Sequence, residues 1–328
     1  MKKFLLAAAA AGVMAVAGPA MAADYVMKFG HAASSDHLFN DGVELFAKAV
    51  AEKTNGRVEI QVMGNRLLGD DKQLIEGVEL GTIDGALISS PLFPLVAGET
   101  SYAALQLPFV VPSYEVMAEV LSGPTGQKLL DRLDAKGMKG LGFYEAGLRH
   151  FLSREKQVKT VADFQGLKTR IVPIPLHKAI WEAVGTNPVG LAYGEVYSAL
   201  ETGTIDAVEI NLSSIKTESL YQNAKNVTLT GHYFWPGVLV MNLDKFNALP
   251  ADIQKAMVEA GHETIATQYA MAAAQEKEVA DFLAQNGVTI VKLQDLDVMK
   301  QKMAPIVATW SAKDPLIAEF VEAVKQGS

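Results

Sequence analysis

Two arginines and an asparagine carry the most pointed chemistry in this sequence. Arg170 sits in the β-type run Leu167-Lys168-Thr169-Arg170-Ile171-Val172, Arg149 in Ala146-Gly147-Leu148-Arg149-His150-Phe151, and Asn211 directly after the apolar run Ala207 to Ile210. Open α/β sheets bind ligands beyond the C-terminal ends of their parallel strands, which is where Arg170 is placed. A guanidinium there can hold a carboxylate through two parallel hydrogen bonds and stays charged at any physiological pH. The asparagine amide both donates and accepts. The competing reading of either arginine is a surface ion pair. Asn211-Leu212-Ser213 also matches a glycosylation sequon, an incidental match.

Other chemistry is poorly supplied. Cysteine is absent, which removes disulfides, thiolate catalysis, Cys-ligated metal sites and lipidation of an N-terminal cysteine. No G-x-S-x-G elbow, H-E-x-x-H pair, Walker loop or G-x-G-x-x-G fingerprint occurs. The histidines are His31, His37, His150, His177, His232 and His262, and no two stand at i, i+4 spacing. His31 and His37 could approach one another across a loop, and His31 is a candidate binding residue. Asp70-Asp71 suits a helix start better than a catalytic dyad. No metal site and no cofactor is expected. The formal charge of −8, without a dense basic cluster, excludes nucleic acid as a natural partner.

The chain has 328 residues, enough for about two domains, and its 49% hydrophobic content can supply ordinary cores. Met1-Lys2-Lys3, an apolar stretch to about Gly18 and Ala20-Met21-Ala22 form the three-part pattern of a secretory signal peptide over residues 1–22. The apolar stretch is too short to cross a bilayer. Cleavage removes two lysines and no acid, so the mature chain is more acidic still, and it is expected outside the cytoplasm.

Hydrophobic periodicity then predicts one architecture twice. Tyr25 to Gly30 is a strand, Val43, Phe46 and Val50 mark a helix, Arg57 to Met63 is a strand, Leu74 to Leu80 a helix begun by Gly69-Asp70-Asp71, and Ile83 to Ile88 a strand. The second copy runs through Leu167 to Val172, Leu176 to Val184, Asn187 to Val189, Tyr193 to Glu201 and Ala207 to Ile210. Gly81-Thr82-Ile83-Asp84 and Gly203-Thr204-Ile205-Asp206 occupy corresponding places, so a pair of similar α/β lobes is expected. Pro91 to Pro112 suggests a segment along an interface. Ala251 to Gln285 contains no proline and forms either one helix long enough to cross both lobes or two helices broken near Gly261.

Leu67-Leu68-Gly69-Asp70-Asp71, Asp163 to Arg170, Glu195-Val196-Tyr197-Ser198-Ala199-Leu200 and the two Gly-Thr-Ile-Asp segments together resemble the motifs of the DctP-type substrate-binding proteins of TRAP transporters, across essentially the whole mature chain. The resemblance implies a periplasmic-binding-protein-like α/β fold: two similar lobes with a ligand cleft between them, joined by crossing segments and a long helix. It divides the chain into 23–147 plus about 237–277 for the first lobe, and 148–236 plus about 278–328 for the second. It implies a periplasmic carrier, most such carriers being monomers, that captures a small organic acid and delivers it to a sodium-driven TRAP permease. By the same resemblance Arg170 makes the main salt bridge to the ligand carboxylate, Arg149 assists, Asn211 joins them, and Tyr193, Asp71 and Ser89 line the cleft. Phe234-Trp235-Pro236 and Phe93 offer an apolar wall, with Trp235 the candidate contact. Ser89 and Ala32 stand where sialic-acid-binding members carry Glu and Asn, so that subgroup fits poorly. The alternative function is a secreted hydrolase or lyase acting on an acidic small molecule, separable from a carrier because a carrier returns its ligand unchanged.

Overall fold

The computed structural model describes residues 23–327; the expected signal segment lies outside the described residues. The first half contains β1 (Tyr25–His31), α1 (Leu38–Lys53), β2 (Val58–Met63), α2 (Asp71–Glu79), β3 (Gly85–Ser89), α3 (Tyr114–Ser122), α4 (Pro124–Asp131) and β4 (Met138–Glu145). There follow β5 (Arg149–Ser153), β6 (Lys168–Ile171), α5 (Pro175–Ala183), β7 (Asn187–Gly190), α6 (Val196–Thr202), β8 (Ala207–Asn211), α7 (Leu212–Thr217) and β9 (Asn226–Leu229). The chain ends through β10 (Pro236–Asn242), α8 (Leu243–Asn247), α9 (Ala251–Gln285), β11 (Thr289–Lys292), α10 (Leu296–Ser311) and α11 (Pro315–Gln326).

Two sheets result, ordered β2-β1-β3-β10-β4 and β11-β9-β5-β8-β6-β7. In each, three strands run parallel in the same relative order, β2-β1-β3 and β7-β6-β8, and a strand contributed after a crossing joins antiparallel, β10 beside β3 and β5 beside β8. The expected repeat is therefore present as topology.

Its signature tetrapeptide has a physical reason. Gly81 and Gly203 adopt left-handed φ values of 73° and 72° where their helices end, a conformation that costs glycine least. The following isoleucine returns its N–H to the helix, Ile83 to the Gly77 carbonyl and Ile205 to the Ala199 carbonyl. The aspartate then accepts a backbone N–H from the neighbouring strand, Asp84 from Lys28 and Asp206 from Lys168, both at 2.8 Å. One tetrapeptide thus stops a helix and registers the next strand.

The crossings at 146–148 and 230–235 are tied to each other. The buried Glu145 carboxylate accepts from Gly147 N at 2.8 Å and from Trp235 N at 2.7 Å, one residue from each crossing. Helix α9 backs this junction: Gln268 accepts from Glu145 N and donates to Glu145 O. The 35-residue helix is continuous, which decides between the two readings of Ala251 to Gln285. Gly261 does not break it. A Cβ there would lie 2.0 Å from the Leu141 carbonyl oxygen, so glycine serves close approach of α9 to β4. The helix packs against α1, α3 and β4 on one side of the molecule and against α7 and β11 on the other.

The C-terminal segment departs from the sequence grouping of 278–328 with the second lobe. Helix α11 packs on α3, α4 and the 3₁₀ segment Thr100–Gln106, all first-lobe elements, while α10 bridges to α5. Its buried stripe Leu316, Ile317, Phe320 and Val324 recurs at helical spacing, which predicts an amphipathic helix but not the core it joins. Among the described residues no helix is long and apolar enough to cross a membrane.

Candidate functional site

Between the sheets lies a cavity of about 300 Å³, at the lower end of the range for small-molecule sites. Seven of the eight candidates from sequence line it: Arg170, Arg149, Asn211, Tyr193, Asp71, Ser89 and Trp235. His31 does not. Its ring is buried and meets Asn40 at 3.1 Å, and the loop after β1 presents His37 to the cavity instead. Phe93 is likewise withdrawn, stacked on Tyr102 at 4.8 Å in the first-lobe core, and Leu92 and Leu95 line the cavity beside it.

The second-lobe wall is built from three adjacent strands. Pairing of β5 with β8 sets Arg149 opposite Asn211, and pairing of β6 with β8 sets Arg170 opposite Val208. Arg149 is a buried ion-pair member: its Nε donates to Glu209 Oε2 at 2.8 Å, Nη1 to Asn211 Oδ1 at 3.3 Å and Nη2 to the Glu209 carbonyl. Its guanidinium lies 3.8 Å from the centroid of the Trp235 ring. Glu209 also accepts from Tyr233 Oη at 3.0 Å. Burial would raise the Glu209 pKa, but Arg149 and the neighbouring histidines hold it below the usual carboxylate range. Glu209 was missed in the sequence. The signal was present as the one charged residue in Ala207-Val208-Glu209-Ile210, since an acid inside an apolar strand needs a partner.

Arg170 is bonded differently. It is 2% exposed, and its Nε and Nη2 both donate to the Leu191 carbonyl, at 3.1 and 2.8 Å. Among the described residues no carboxylate forms a salt bridge with it. Burial lowers its pKa to about 10, with Glu209 opposing, so it keeps its charge near neutrality.

Asn211 has less freedom than its position suggests. Its Nδ2 donates to the Ala146 carbonyl and to Ser213, and its Oδ1 accepts from Arg149 and from Ser214 Oγ. It therefore braces the wall. Tyr193 Oη donates to Ser214 Oγ at 3.0 Å.

On the first-lobe wall, Asp70 caps α2, and Asp71 is buried at its first position. Asp71 Oδ1 accepts from Ser89 N at 3.2 Å. Burial, reinforced by Asp70, pushes the Asp71 carboxyl up to about 7. His37 accepts from Phe39 N on Nδ1, which leaves Nε2–H to donate to Ser214 Oγ at 3.0 Å across the cleft. Burial holds this ring neutral, with its pKa lowered to about 3.

A single surface thus brings together a buried cation without a carboxylate partner among the described residues, a buried acid and neutral polar groups, between lobes joined by two crossing segments and helix α9. This is the arrangement of a two-lobed binding protein. Residues 29–314 match the bacterial extracellular solute-binding proteins, family 7 (DctP), and the chain belongs to that family. A solute-binding protein of Verminephrobacter eiseniae is 35% identical, over 81% of this chain and 79% of its own. The C4-dicarboxylate-binding periplasmic protein DctP of Rhodobacter capsulatus is 32% identical, over 83% and 80%. The crystal structure of the sugar acid binding protein DctPAm from Advenella mimigardefordensis, in complex with galactonate, superimposes with a TM-score of 0.87 at 26% identity, covering 94% of this chain and 100% of that one. The chain is a periplasmic carrier, not an enzyme.

Proposed function

We propose that this protein captures a small organic carboxylate in the cleft, with Arg170 as the anchor, and hands it to a TRAP permease. The observation that carries the reading is the buried Arg170 guanidinium, which donates two hydrogen bonds to the Leu191 carbonyl but has no salt-bridge partner among the described residues. A buried unpaired charge is costly, and a ligand carboxylate repays that cost through charge-assisted bonds in a site that loses water. Arg149, already neutralised by Glu209, acts chiefly by bracing Asn211 and Trp235, and Tyr193, Ser89 and Asp71 complete the enclosure. All of these groups come from one chain, so a monomer is sufficient for capture. The lobes open and close about the two crossings held by Glu145.

Galactonate and succinate serve as first probes in a thermal-shift screen of organic acids, followed by calorimetry on the acids that shift the midpoint. Loss of one partner of a buried charge pair costs about 2 to 5 kcal/mol, roughly 30- to 5,000-fold in affinity. Arg170→Ala is expected to fall in that range. Arg170→Lys should lose more than about tenfold, because a point charge lacks the planar fork. Binding by Arg170→Ala within about threefold of wild type would move the anchor elsewhere. Acids recovered chemically unchanged after incubation separate the carrier from a hydrolase or lyase.

A further inference from the structure

We propose that Glu145 and Glu276 are positioning residues for capture: together they clamp the first crossing between two carboxylates and share one proton, which the chain takes up as its lobes close. The inference rests on the carboxylate reading of Arg170 only where ligand affinity is measured.

The segment 146–148 runs between the two acids. Gly147 N donates to Glu145 Oε1 at 2.8 Å, and Leu148 N reaches Tyr114 Oη at 2.9 Å and Glu276 Oε1 at 3.3 Å. The Tyr114 phenol in turn donates to Glu276 Oε1 at 2.5 Å. Gly147 lies against both acids: its φ is 122°, and a Cβ there would stand 3.5 Å from Glu276 Oε1. The same segment holds the binding wall, because the Ala146 carbonyl accepts from Asn211 Nδ2 at 2.5 Å and from Ser213 Oγ at 2.6 Å, and Leu148 leads directly into Arg149. A change of grip on the crossing is therefore passed to the groups around the anchor.

No cation balances the pair. Among the described residues neither acid forms an ion pair with a lysine, arginine or histidine, and Lys277, next to Glu276, pairs with Asp281 instead. The groups that face them are the phenols Tyr114 from α3 and Tyr269 from α9, the neutral Gln268, and backbone N–H groups of both crossings. Two carboxylates in one place with little water cannot both ionise cheaply, so the pair keeps a proton. Both crossing N–H bonds to Glu145 fall on Oε1, which leaves the buried Oε2 to carry it. Burial, with Glu276 adding to it, raises Glu145 to about 7, and burial raises Glu276 as well. Tyr114 and Tyr269 also line a groove of about 370 Å³ between α3 and α9, which connects this hinge to solvent.

The rim contacts are made in this structure, so the lobes are closed. Opening exposes the crossings to water, which returns Glu145 toward its ordinary 4.5 and releases the proton. A carboxyl raised in the closed form favours closure fully below its open-state value and loses that effect as pH rises through its closed-state value, so the contribution fades between about 4.5 and about 7.

Asp71 titrates in the same range from the cleft, so the test compares wild type with amide variants at the hinge. Glu145→Gln and Glu276→Gln each keep an acceptor for the crossing and remove a charge. Carboxyl carbon-13 titration of ligand-free, glutamate-labelled protein should show one glutamate with a midpoint above about pH 6 in wild type. That signal should be missing from Glu145→Gln, and its midpoint should fall in Glu276→Gln. Small-angle scattering without ligand should give a larger radius of gyration at pH 8 than at pH 5 for wild type, and a difference at most about half as large for Glu145→Gln. Galactonate affinity by calorimetry should fall more than about fivefold over the same interval in wild type, and at least about threefold less in Glu145→Gln, a change of pH profile that a merely structural defect would not produce. No glutamate titrating above about pH 6 in wild type, or scattering and affinity that keep their full pH dependence in folded amide variants, overturns the proposal. The wild-type titration stands even where a variant fails to fold. If galactonate binds wild type at neither pH, the anchor reading loses its support, and titration and scattering decide the hinge without it.

Discussion

On the second-lobe wall of the cleft, Arg149 commits its guanidinium to Glu209, Asn211 and the face of Trp235, whereas on the first-lobe wall Asp71 is held by Ser89 alone. The second-lobe groups also rest on an aromatic slab in which His177 stacks on Tyr233 at 5.3 Å and Tyr233 on Trp235 at 6.2 Å. Their rotamers are fixed before any ligand arrives. A prebuilt wall can present one invariant group, a carboxylate-binding cation, to every ligand. The sparser wall can differ in what it accepts without loss of the anchor. The contrast separates holding a ligand from choosing it.

The largest effect that tests this contrast is on stability. Glu209→Gln leaves Arg149 buried without its counter-ion, which costs about 3 to 5 kcal/mol. Asp71→Asn breaks no salt bridge and loses only a longer-range attraction to Arg170, less than the burial cost it relieves, so stability at pH 7 should be unchanged or raised. Urea unfolding of the two variants compares them directly. An equal loss in both would mean that the first-lobe wall is as tightly preassembled as the second.

An effect smaller at each pH step follows from Asp71 titration. Its carboxyl is raised from 3.8 to about 7, with burial the main cause and Asp70 adding to it. Between these values the folded protein holds a proton that the unfolded chain releases, so stability falls as pH rises from about 4 to about 7. Asp71→Asn removes this contribution. The stability of wild type relative to the variant should therefore decline with pH across that window, by up to about 1.4 kcal/mol per unit. Glu145 is also pushed up to about 7 by burial, but it tilts both proteins alike and cancels in the difference. A flat difference would show Asp71 ionised throughout and carrying little desolvation cost.

Much of this arrangement is legible in the sequence because it rests on local rules. The Gly-Thr-Ile-Asp repeats announce a helix stop and a strand start, and Asp84 and Asp206 make the same bond in both lobes. Arg170, Asn211, Ser89 and Asp71 lie at strand ends or a helix start, where position within the element fixes the direction in space. What was not legible depends on contacts distant in sequence. Arg149 and Glu209 are sixty residues apart, and only the β5–β8 register joins them. His31 and His37 flank one loop, and spacing alone does not say which ring turns inward. Gly261 reads locally as a helix breaker, and only the approach of the Leu141 carbonyl shows why glycine stands there.

The smallest expected effect concerns the contacts that bridge the two walls. Glu218 accepts from Ser34 N at 3.1 Å and pairs with Arg66 at 2.9 Å, and Gly194 donates to Asp70, so first-lobe loops meet second-lobe elements at the rim. Arg66 and Glu218 side chains are 27% and 14% exposed, within reach of solvent and salt. A pair so placed contributes at most about 1 kcal/mol. Arg66→Ala should accordingly weaken galactonate binding by no more than about fivefold, chiefly through faster release, because the clasp forms only when the lobes meet. Small-angle scattering should show a larger radius of gyration for this variant than for wild type without ligand, and high salt should erase the difference. If Arg66→Ala weakens binding as severely as Arg170→Ala, the rim is not a clasp outside the site, and the division between an anchoring wall and a selecting wall has to be redrawn to include it.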